Sequence, residues 1–96
     1  MKVVVLGASN NPERYSYKAM HELTKHGHEA VPVGIKKNAE VAGKGIITSR
    51  EPQPNVDTLT VYVHPKKQSE WYGYIESTKP RRVIFNPGTE NQELKG

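Results

Sequence analysis

The 96-residue chain contains no cysteine, which removes several kinds of chemistry at once. Without thiols it forms no disulfide, uses no thiolate nucleophile and builds no cysteine-based zinc or iron–sulfur site. It also lacks a long hydrophobic run, since no apolar segment approaches the ~20 residues that cross a bilayer. The apolar stretch after Met1-Lys2 ends at the turn-forming Gly7 rather than at a cleavage site, so we expect a cytoplasmic protein with no membrane partner.

Acidic residues are the minority: 14 Lys and Arg outnumber 10 Asp and Glu, for a formal net charge of +4. The basic residues are scattered apart from the pairs Lys36-Lys37, Lys66-Lys67 and Arg81-Arg82, and aromatic residues do not interleave with these pairs. A nucleic-acid surface usually combines both features, so no nucleic-acid partner is predicted. A nucleotide-sized anion is one interpretation of the charge, and a mildly basic surface without a ligand is the other.

Strand-like and helix-like segments alternate along the chain. The predicted strands are residues 2–6, 28–33, 57–63 and 82–85, with a short strand near 45–48 in a loop over 36–55, and the predicted helices are 15–26 and 67–78. The strands are continuously apolar, which is typical of strands buried on both faces. This alternation predicts an α/β fold: a Rossmann-like open parallel sheet with helices on both faces, in three layers.

One domain over residues 1–96 is the only organisation that this length supports. The turn Asn86-Pro87-Gly88 is followed by Thr89-Glu90-Asn91, which is typical of a helix start. The sequence stops where that helix would be under way. We therefore expect the domain to lack a C-terminal segment, with a minimal domain as the alternative.

The first predicted strand ends in Gly7-Ala8-Ser9-Asn10, a candidate phosphate loop. Ligands of open parallel sheets bind at the carboxyl ends of the strands, and amides at a helix N-terminus attract anions. Gly7 permits a tight turn and Ser9 supplies a hydroxyl donor. The dinucleotide fingerprint would place glycine at 7, 9 and 12, where this chain has Gly, Ser and Pro. A strand-to-helix turn without a ligand therefore stays open as an alternative.

The second strand end, Val33-Gly34-Ile35-Lys36-Lys37, has lysines where NAD-binding domains usually carry an acid. A lysine at this place suits a ribose that bears a phosphate, as in NADP or coenzyme A. The alternative is that Lys36 and Lys37 are ordinary solvated lysines of a loop.

The two remaining strand ends are Val63-His64-Pro65 and Asn86-Pro87-Gly88. His64 could act as a general base or nucleophile, but no acid lies close in sequence to orient it, and a His-Pro turn that lines a pocket is the favoured interpretation. We assign no catalytic residue. No metal is predicted either, because His21, His26 and His28 lack the spacing and acidic partners of a metal motif.

Together these residues resemble the small stand-alone CoA-binding domain proteins, whose fold is similar to the CoA-binding domain of the succinyl-CoA synthetase alpha subunit. The resemblance is carried by Val5 to Ser9, Ser16-Tyr17, residues 26–33 and 40–44, His64-Pro65 and residues 86–91, so it spans essentially the whole chain. The chain departs from many relatives at Gly34-Ile35, where they carry Asn-Pro. Relatives also continue with a helix and a final strand, which would be the segment that we expect to be missing here.

The resemblance implies that coenzyme A, or an acyl-CoA, lies across the strand ends through its ADP moiety. Residues 7–9 would contact phosphate, Lys36 or Lys37 would face the 3′-phosphate or pyrophosphate, residues 63–65 would line the adenine or pantetheine side, and residues 86–88 would border it. The full candidate set is Gly7, Ala8, Ser9, Asn10, Ser16, Val33, Gly34, Lys36, Lys37, Val63, His64, Pro65, Asn86, Pro87 and Gly88.

We therefore expect a non-catalytic CoA-binding module. An NAD(P)-binding protein or reductase-like enzyme fragment that uses NADP is the alternative, although the chain shows no paired carboxylates and no nucleophile–base arrangement. A third interpretation is an interaction protein, in which exposed Tyr15 or Tyr72 and an uncovered sheet face mark a homodimer contact.

Overall fold

A computed structural model describes residues 1–86 of the chain, with the Pro65 side chain excepted. Its elements are β1 (Lys2–Leu6), α1 (Tyr15–Lys25), β2 (Glu29–Val33), β3 (Glu40–Val41), β4 (Lys44–Gly45), β5 (Thr58–Val61), α2 (Pro65–Gln68), a 3-10 turn (Ser69–Trp71), α3 (Tyr72–Thr78) and β6 (Arg82–Phe85). The predictions for Pro87, Gly88, the helix start at 89–91 and any C-terminal segment lie outside the described residues.

Four of the strands form one parallel sheet in the order β2-β1-β5-β6. The chain passes from β1 outward to β2 and then crosses back to β5 on the other side of β1. The strand order therefore reverses between β1 and β5, which is where open α/β sheets bind their ligands. The predicted parallel sheet is confirmed, and Pro32 lies in an edge strand of it, where a proline is tolerated.

The sheet separates two hydrophobic cores, because successive residues of a strand point to opposite faces. Val5 joins Met20 of α1 on one face, in a cluster that also contains Val41 and Ile46. Leu6 and Leu59 pack with Trp71 and Tyr74 on the other face, beneath α2 and α3. Helices thus cover both faces, and the expected three-layer α/β/α arrangement is confirmed.

The predicted helix over 67–78 is wrong as a single element. Residues 65–78 instead form α2, the 3-10 turn and α3. Arg50 contacts the chain at this interruption: its Nη1 donates to the Glu70 carbonyl at 2.7 Å, and its guanidinium lies 4.3 Å from the centre of the Trp71 ring. Trp71 is buried, as predicted.

The loop over 36–55 contains more structure than the sequence predicted. The two short strands β3 and β4 pair antiparallel as a hairpin, and Ile47 forms a single parallel bridge with Val33 at the edge of the sheet. The hairpin packs beside α1 through Val41, which is 2% exposed. Within residues 1–86, no helix has the length and apolar character needed to cross a membrane.

Candidate functional site

Gly7 brings the ends of β1 and β5 together. Its φ of +90° lies in the left-handed region that favours glycine. A Cβ at this position would lie 3.0 Å from the Tyr62 carbonyl carbon and 3.1 Å from Cγ2 of Val63. Any larger residue would therefore push the first loop away from the strand end that leads into His64, so Gly7 sets the width of the crevice at the topological reversal.

The amides of the first loop divide into two groups. The N–H groups of Gly7 and Ala8 both donate to the Val33 carbonyl, at 2.8 and 3.0 Å. Among residues 1–86, the N–H groups of Ser9 and Asn10 have no acceptor. Gly7 and Ala8 therefore fasten the loop to β2. The N–H groups of Ser9 and Asn10 could instead donate hydrogen bonds to an anion.

Side-chain turns hold the rest of this loop in place before α1 begins. Ser9 Oγ accepts from the Asn11 N–H at 3.0 Å, and Asn11 Oδ1 accepts from the Glu13 N–H at 3.0 Å. Such local bonds mimic backbone turns and fix the chain direction. Because Ser9 Oγ acts as an acceptor in this bond, its O–H proton is not used by it, and the role of Ser9 as a donor to a ligand stays a prediction.

A hydrogen bond joins the first and second strand ends directly. Lys36 Nζ donates to Asn10 Oδ1 at 3.0 Å, which places the ammonium beside the part of the loop that carries the Ser9 and Asn10 amides. Lys37 is exposed and, within the described part of the chain, forms no hydrogen bond or ion pair. Of the two predicted lysines, Lys36 is therefore the one that the structure brings to the first loop.

Four predicted site residues are buried, and Ala8, at 7% exposed, is one of them. Ser16 is 2% exposed, Val33 is 0% exposed, and Gly34 is buried against the backbone of Ala8. Val33 supports the first loop through its carbonyl, which accepts from both Gly7 and Ala8.

His64 caps the short helix α2. Its Nδ1 accepts from the Lys66 N–H at 3.2 Å, and the helix begins at Pro65. When the ring is neutral, this acceptor role leaves the proton on Nε2. Gln68 Nε2 also donates to the Val63 carbonyl at 3.0 Å. The third strand end is thus an ordered turn whose half-buried His64 borders the crevice.

Asn86 fastens the end of β6 to β5. Its Nδ2 donates to Thr60 Oγ1 and to the Val61 carbonyl, both at 2.8 Å. The two amide protons are therefore both used inside the protein, and Oδ1 is the atom that a ligand could still contact.

A surface groove that the sequence analysis missed opens beside this crevice. It has a volume of about 720 Å³ and lies between α1 and the β3–β4 hairpin, with Asn10 at one end. Tyr17, His21 and Thr24 of α1 form one wall. The i, i+4, i+7 spacing of these three residues, beside the buried stripe of Ser16 and Met20, indicates that they share one face of the helix. The opposite wall could not be predicted, because it comes from a hairpin of two-residue strands.

The fold and the reversal at β1 and β5 define a Rossmann-type α/β domain. The profile of the CoA binding domain family matches residues 1–95, so the chain belongs to that family, as the resemblance implied. Among curated proteins none matches.

Solved structures share this fold over almost the whole chain. One, described as an uncharacterized protein, is 53% identical with a TM-score of 0.87, over 98% of this chain and 77% of that one. A conserved hypothetical protein from Pyrococcus furiosus is 29% identical with a TM-score of 0.77, over 98% of this chain and 81% of that one. A hypothetical protein from Pyrococcus horikoshii OT3, at 24% identity with a TM-score of 0.73, covers 97% of this chain and 69% of that one, and shows the fold alone.

Proposed function

We propose that the protein is a non-catalytic module that binds coenzyme A, or an acyl-CoA, through its ADP moiety at the carboxyl ends of the parallel strands. The observation that carries the proposal is the 3.0 Å bond between Lys36 and Asn10. It puts a cation, where NAD-binding domains carry an acid, beside the Ser9 and Asn10 amides, which have no acceptor among residues 1–86. That combination suits a nucleotide with several phosphates better than one with a free ribose diol.

Different residues at the strand ends would contact different parts of the ligand. The amides of Ser9 and Asn10 and the Ser9 hydroxyl would receive the pyrophosphate, with Lys36 released from Asn10 to face a phosphate. The crevice between Gly7 and the turn at Val63-His64 would take the flat adenine. Asn86, with only Oδ1 to offer, would accept a hydrogen bond at the far border.

The proposed module catalyses no reaction, and His64 is the residue that decides this point. His64 is the one imidazole that borders the crevice in the described part of the chain, and its Nδ1 is already occupied by the Lys66 amide. No described residue forms an ion pair with this ring, so nothing orients it as a triad histidine would be oriented.

Thermal unfolding with CoA, dephospho-CoA, NADP, NAD and ADP tests the proposal. A ligand at 100 times its dissociation constant adds ~2.7 kcal/mol, which is a shift of several degrees in a domain of this size. We expect the midpoint to rise most with CoA and less with dephospho-CoA, which lacks the 3′-phosphate. A rise with NADP and none with CoA would favour the NAD(P)-binding alternative, and no rise with any of these ligands would contradict both.

A further inference from the structure

The two edges of the sheet differ in whether another strand can pair with them. The outer edge of β2 is closed. Lys44 Nζ donates to the Ala30 carbonyl at 2.8 Å, and the Ile47 N–H donates to the Pro32 carbonyl at 2.9 Å. Pro32 has no N–H to offer, and the Gly34 N–H already donates to the Ile47 carbonyl at 3.0 Å. A further strand would therefore find little on β2 to pair with, and natural proteins protect their sheet edges in this way.

The outer edge of β6 is open. The N–H groups of Arg82 and Asn86 donate to backbone carbonyls on the β5 side, at 3.0 and 3.3 Å. Because the direction of these groups alternates along a strand, Val83 and Phe85 point their N–H and C=O groups away from the sheet. Within residues 1–86 none of these outward groups has a partner, since β6 is the last strand of the sheet. The protein thus closes one edge of its sheet and leaves the other ready to pair.

The open edge also carries two large apolar side chains that the fold does not bury. Ile84 is 41% exposed and Phe85 is 50% exposed. Val83 packs against the core beneath α2 and α3. Because side chains alternate along a strand, Phe85 lies on that same face and Ile84 lies on the opposite one. A strand that paired with β6 would therefore cover apolar surface on both faces of the sheet.

Residues 87–96 are a poor match for this edge by their sequence. They number ten, whereas a crossover between parallel strands takes a dozen or more residues before the next strand begins. Their only large apolar residue is Leu94, which is too little to cover both Ile84 and Phe85. The strand that fits this edge therefore has to be another one.

The β6 strand of a second copy is complementary to this edge. When two β6 strands run antiparallel about a two-fold axis at Ile84, Val83 of each copy lies opposite Phe85 of the other. These are the residues whose N–H and C=O groups point outward, so every open group of both strands forms a hydrogen bond. Each Phe85 ring then packs beside Val83 of the other copy. The two Ile84 side chains meet on the axis, at a non-hydrogen-bonded pair where side chains lie closest.

Charge does not oppose this register. The axis at Ile84 separates the two Arg82 side chains by four positions along the paired strands, which is about 14 Å. That distance exceeds the Debye length of about 8 Å at physiological salt, so the repulsion is screened. The contact is small, with a few hydrogen bonds and the apolar side chains of positions 83–85. We therefore expect a dissociation constant in the micromolar range rather than a permanent dimer.

We propose that two copies of the protein pair through β6 in this antiparallel register and join their four-stranded sheets into one continuous sheet. The contact involves neither Tyr15 nor Tyr72, the residues from which the sequence analysis considered a homodimer. It does not depend on the ligand, because pairing uses the outer edge of β6 and leaves the first loop and the end of β2 free.

Cysteine cross-linking tests the register, because an introduced thiol is the only one in the chain. At a non-hydrogen-bonded antiparallel pair the Cα atoms lie ~4.5 Å apart, which a disulfide spans, so Ile84→Cys should link to its own counterpart. The two positions 85 would lie about 8 Å apart, beyond the reach of a disulfide, so Phe85→Cys is the control for register. Oxidised glutathione serves as the oxidant: two protein thiols form one disulfide and release two molecules of reduced glutathione.

We expect the Ile84→Cys variant to form the covalent dimer about tenfold faster than the Phe85→Cys variant, because pairing raises the local concentration of the second thiol. Tyr72→Cys, with an exposed thiol on α3, gives the rate of random collision. Mass spectrometry without reductant measures all three rates. Equal rates in the Ile84→Cys and Tyr72→Cys variants would contradict pairing through β6. A faster Tyr72→Cys variant would place the contact at the tyrosine instead.

Charge substitution at Ile84 is an independent test, since on the axis this residue faces only itself. Ile84→Lys and Ile84→Glu should each raise the dissociation constant of the dimer about tenfold or more, because like charges then lie directly opposite each other. An equimolar mixture of the two variants should restore the dimer, because Lys then faces Glu. Tyr72→Lys, which adds the same charge at an exposed position away from β6, should leave association unchanged.

Sedimentation equilibrium over a concentration series measures these constants. A mixture that stays monomeric while the wild-type protein dimerises would show that Ile84 does not lie on the axis, and the proposed register would be wrong. A wild-type protein that is monomeric at ~1 mM would overturn the proposal and leave the β6 edge to a strand of a different chain segment.

Discussion

The carbonyl oxygen of Ala8 lies 2.8 Å from the position that a Cβ would take at Gly34. Two backbone segments, the first loop and the end of β2, are therefore in contact with no room for a side chain between them. Since Gly7 and Ala8 also donate to the adjacent Val33 carbonyl, this contact determines where the phosphate loop sits.

Gly34→Ala should consequently displace the first loop. The carbonyl of Ala8 has to move, and we expect a loss of about 1–3 kcal/mol in the free energy of unfolding, as for other overpacked sites. Binding of CoA should weaken as well, because Asn10 and Lys36 move with the loop. Urea unfolding and a CoA titration measure the two effects. Gly45→Ala is the matched control, because nothing lies within 4 Å of a Cβ there. Equal stabilities of the two variants would show that the loop is not fixed by this contact.

Lys36 should carry the discrimination between CoA and dephospho-CoA. Replacing Lys36 and Lys37 together with Ala removes the charge-assisted contact, and we expect CoA affinity to fall by ~1–3 kcal/mol while dephospho-CoA affinity changes little. The single variants should show that Lys36 accounts for most of the loss. Isothermal titration gives the affinities.

Arg82→Ala is the control for net charge, since Arg82 begins β6 at the opposite edge of the sheet and is exposed. A general electrostatic attraction would make this variant lose as much affinity as the lysine variants. Unchanged CoA affinity in the double lysine variant would contradict our placement of the phosphate.

The parts of this architecture that follow from local sequence were predictable, and the parts that depend on distant contacts were not. The apolar run at 2–6 and the glycine at 27 with φ of +82° behave as their local patterns require. The division of the second helical segment was not predicted, and the Arg50 side chain that contacts it there precedes Trp71 by 21 positions, so this contact forms only in the folded chain.

The candidate site shows the same limit. The residue types at the strand ends predicted a phosphate site. They could not predict which amides of the first loop bond to the sheet and which do not. That Gly7 and Ala8 donate to Val33, leaving Ser9 and Asn10, depends on the register of β1 against β2. The groove was invisible for a similar reason, because the pairing of two-residue strands is set by packing against α1 and leaves no periodic pattern in the sequence.

Asn86 should contribute to stability through both of its donated bonds. Asn86→Asp removes the donors and places an oxygen against Thr60 Oγ1 and the Val61 carbonyl, both of which now lie 2.8 Å from Nδ2. We expect a loss of about 1–3 kcal/mol in the free energy of unfolding, because both donated bonds are lost and a carboxylate oxygen is placed against the Val61 carbonyl oxygen. Thermal unfolding measures this loss. Thr60→Val removes one acceptor and keeps the shape, so its cost should be smaller. If Asn86→Asp costs no more than Thr60→Val, the side chain does not fasten β6.

The phenol of Tyr74 should make stability sensitive to alkaline pH. The side chain is 4% exposed, and its hydroxyl has no partner with hydrogen-bond geometry among residues 1–86. Burial raises the pKa of Tyr74, and the nearby Thr78 side chain opposes part of that shift. The folded protein therefore holds this proton more tightly than the unfolded chain, whose tyrosine titrates near pH ~10. Stability is complete below that pH and falls as the pH rises through the folded pKa.

Tyr74→Phe should remove this alkaline loss, and at neutral pH it should leave the free energy of unfolding unchanged or raise it by up to ~1 kcal/mol, because an unpaired buried hydroxyl is deleted. Urea unfolding at neutral pH and above pH ~10 tests both statements. Tyr72→Phe, at a side chain that is 51% exposed, is the control and should show neither effect. A loss of more than ~1 kcal/mol at neutral pH in the Tyr74→Phe variant would mean that the hydroxyl is hydrogen-bonded in the folded protein.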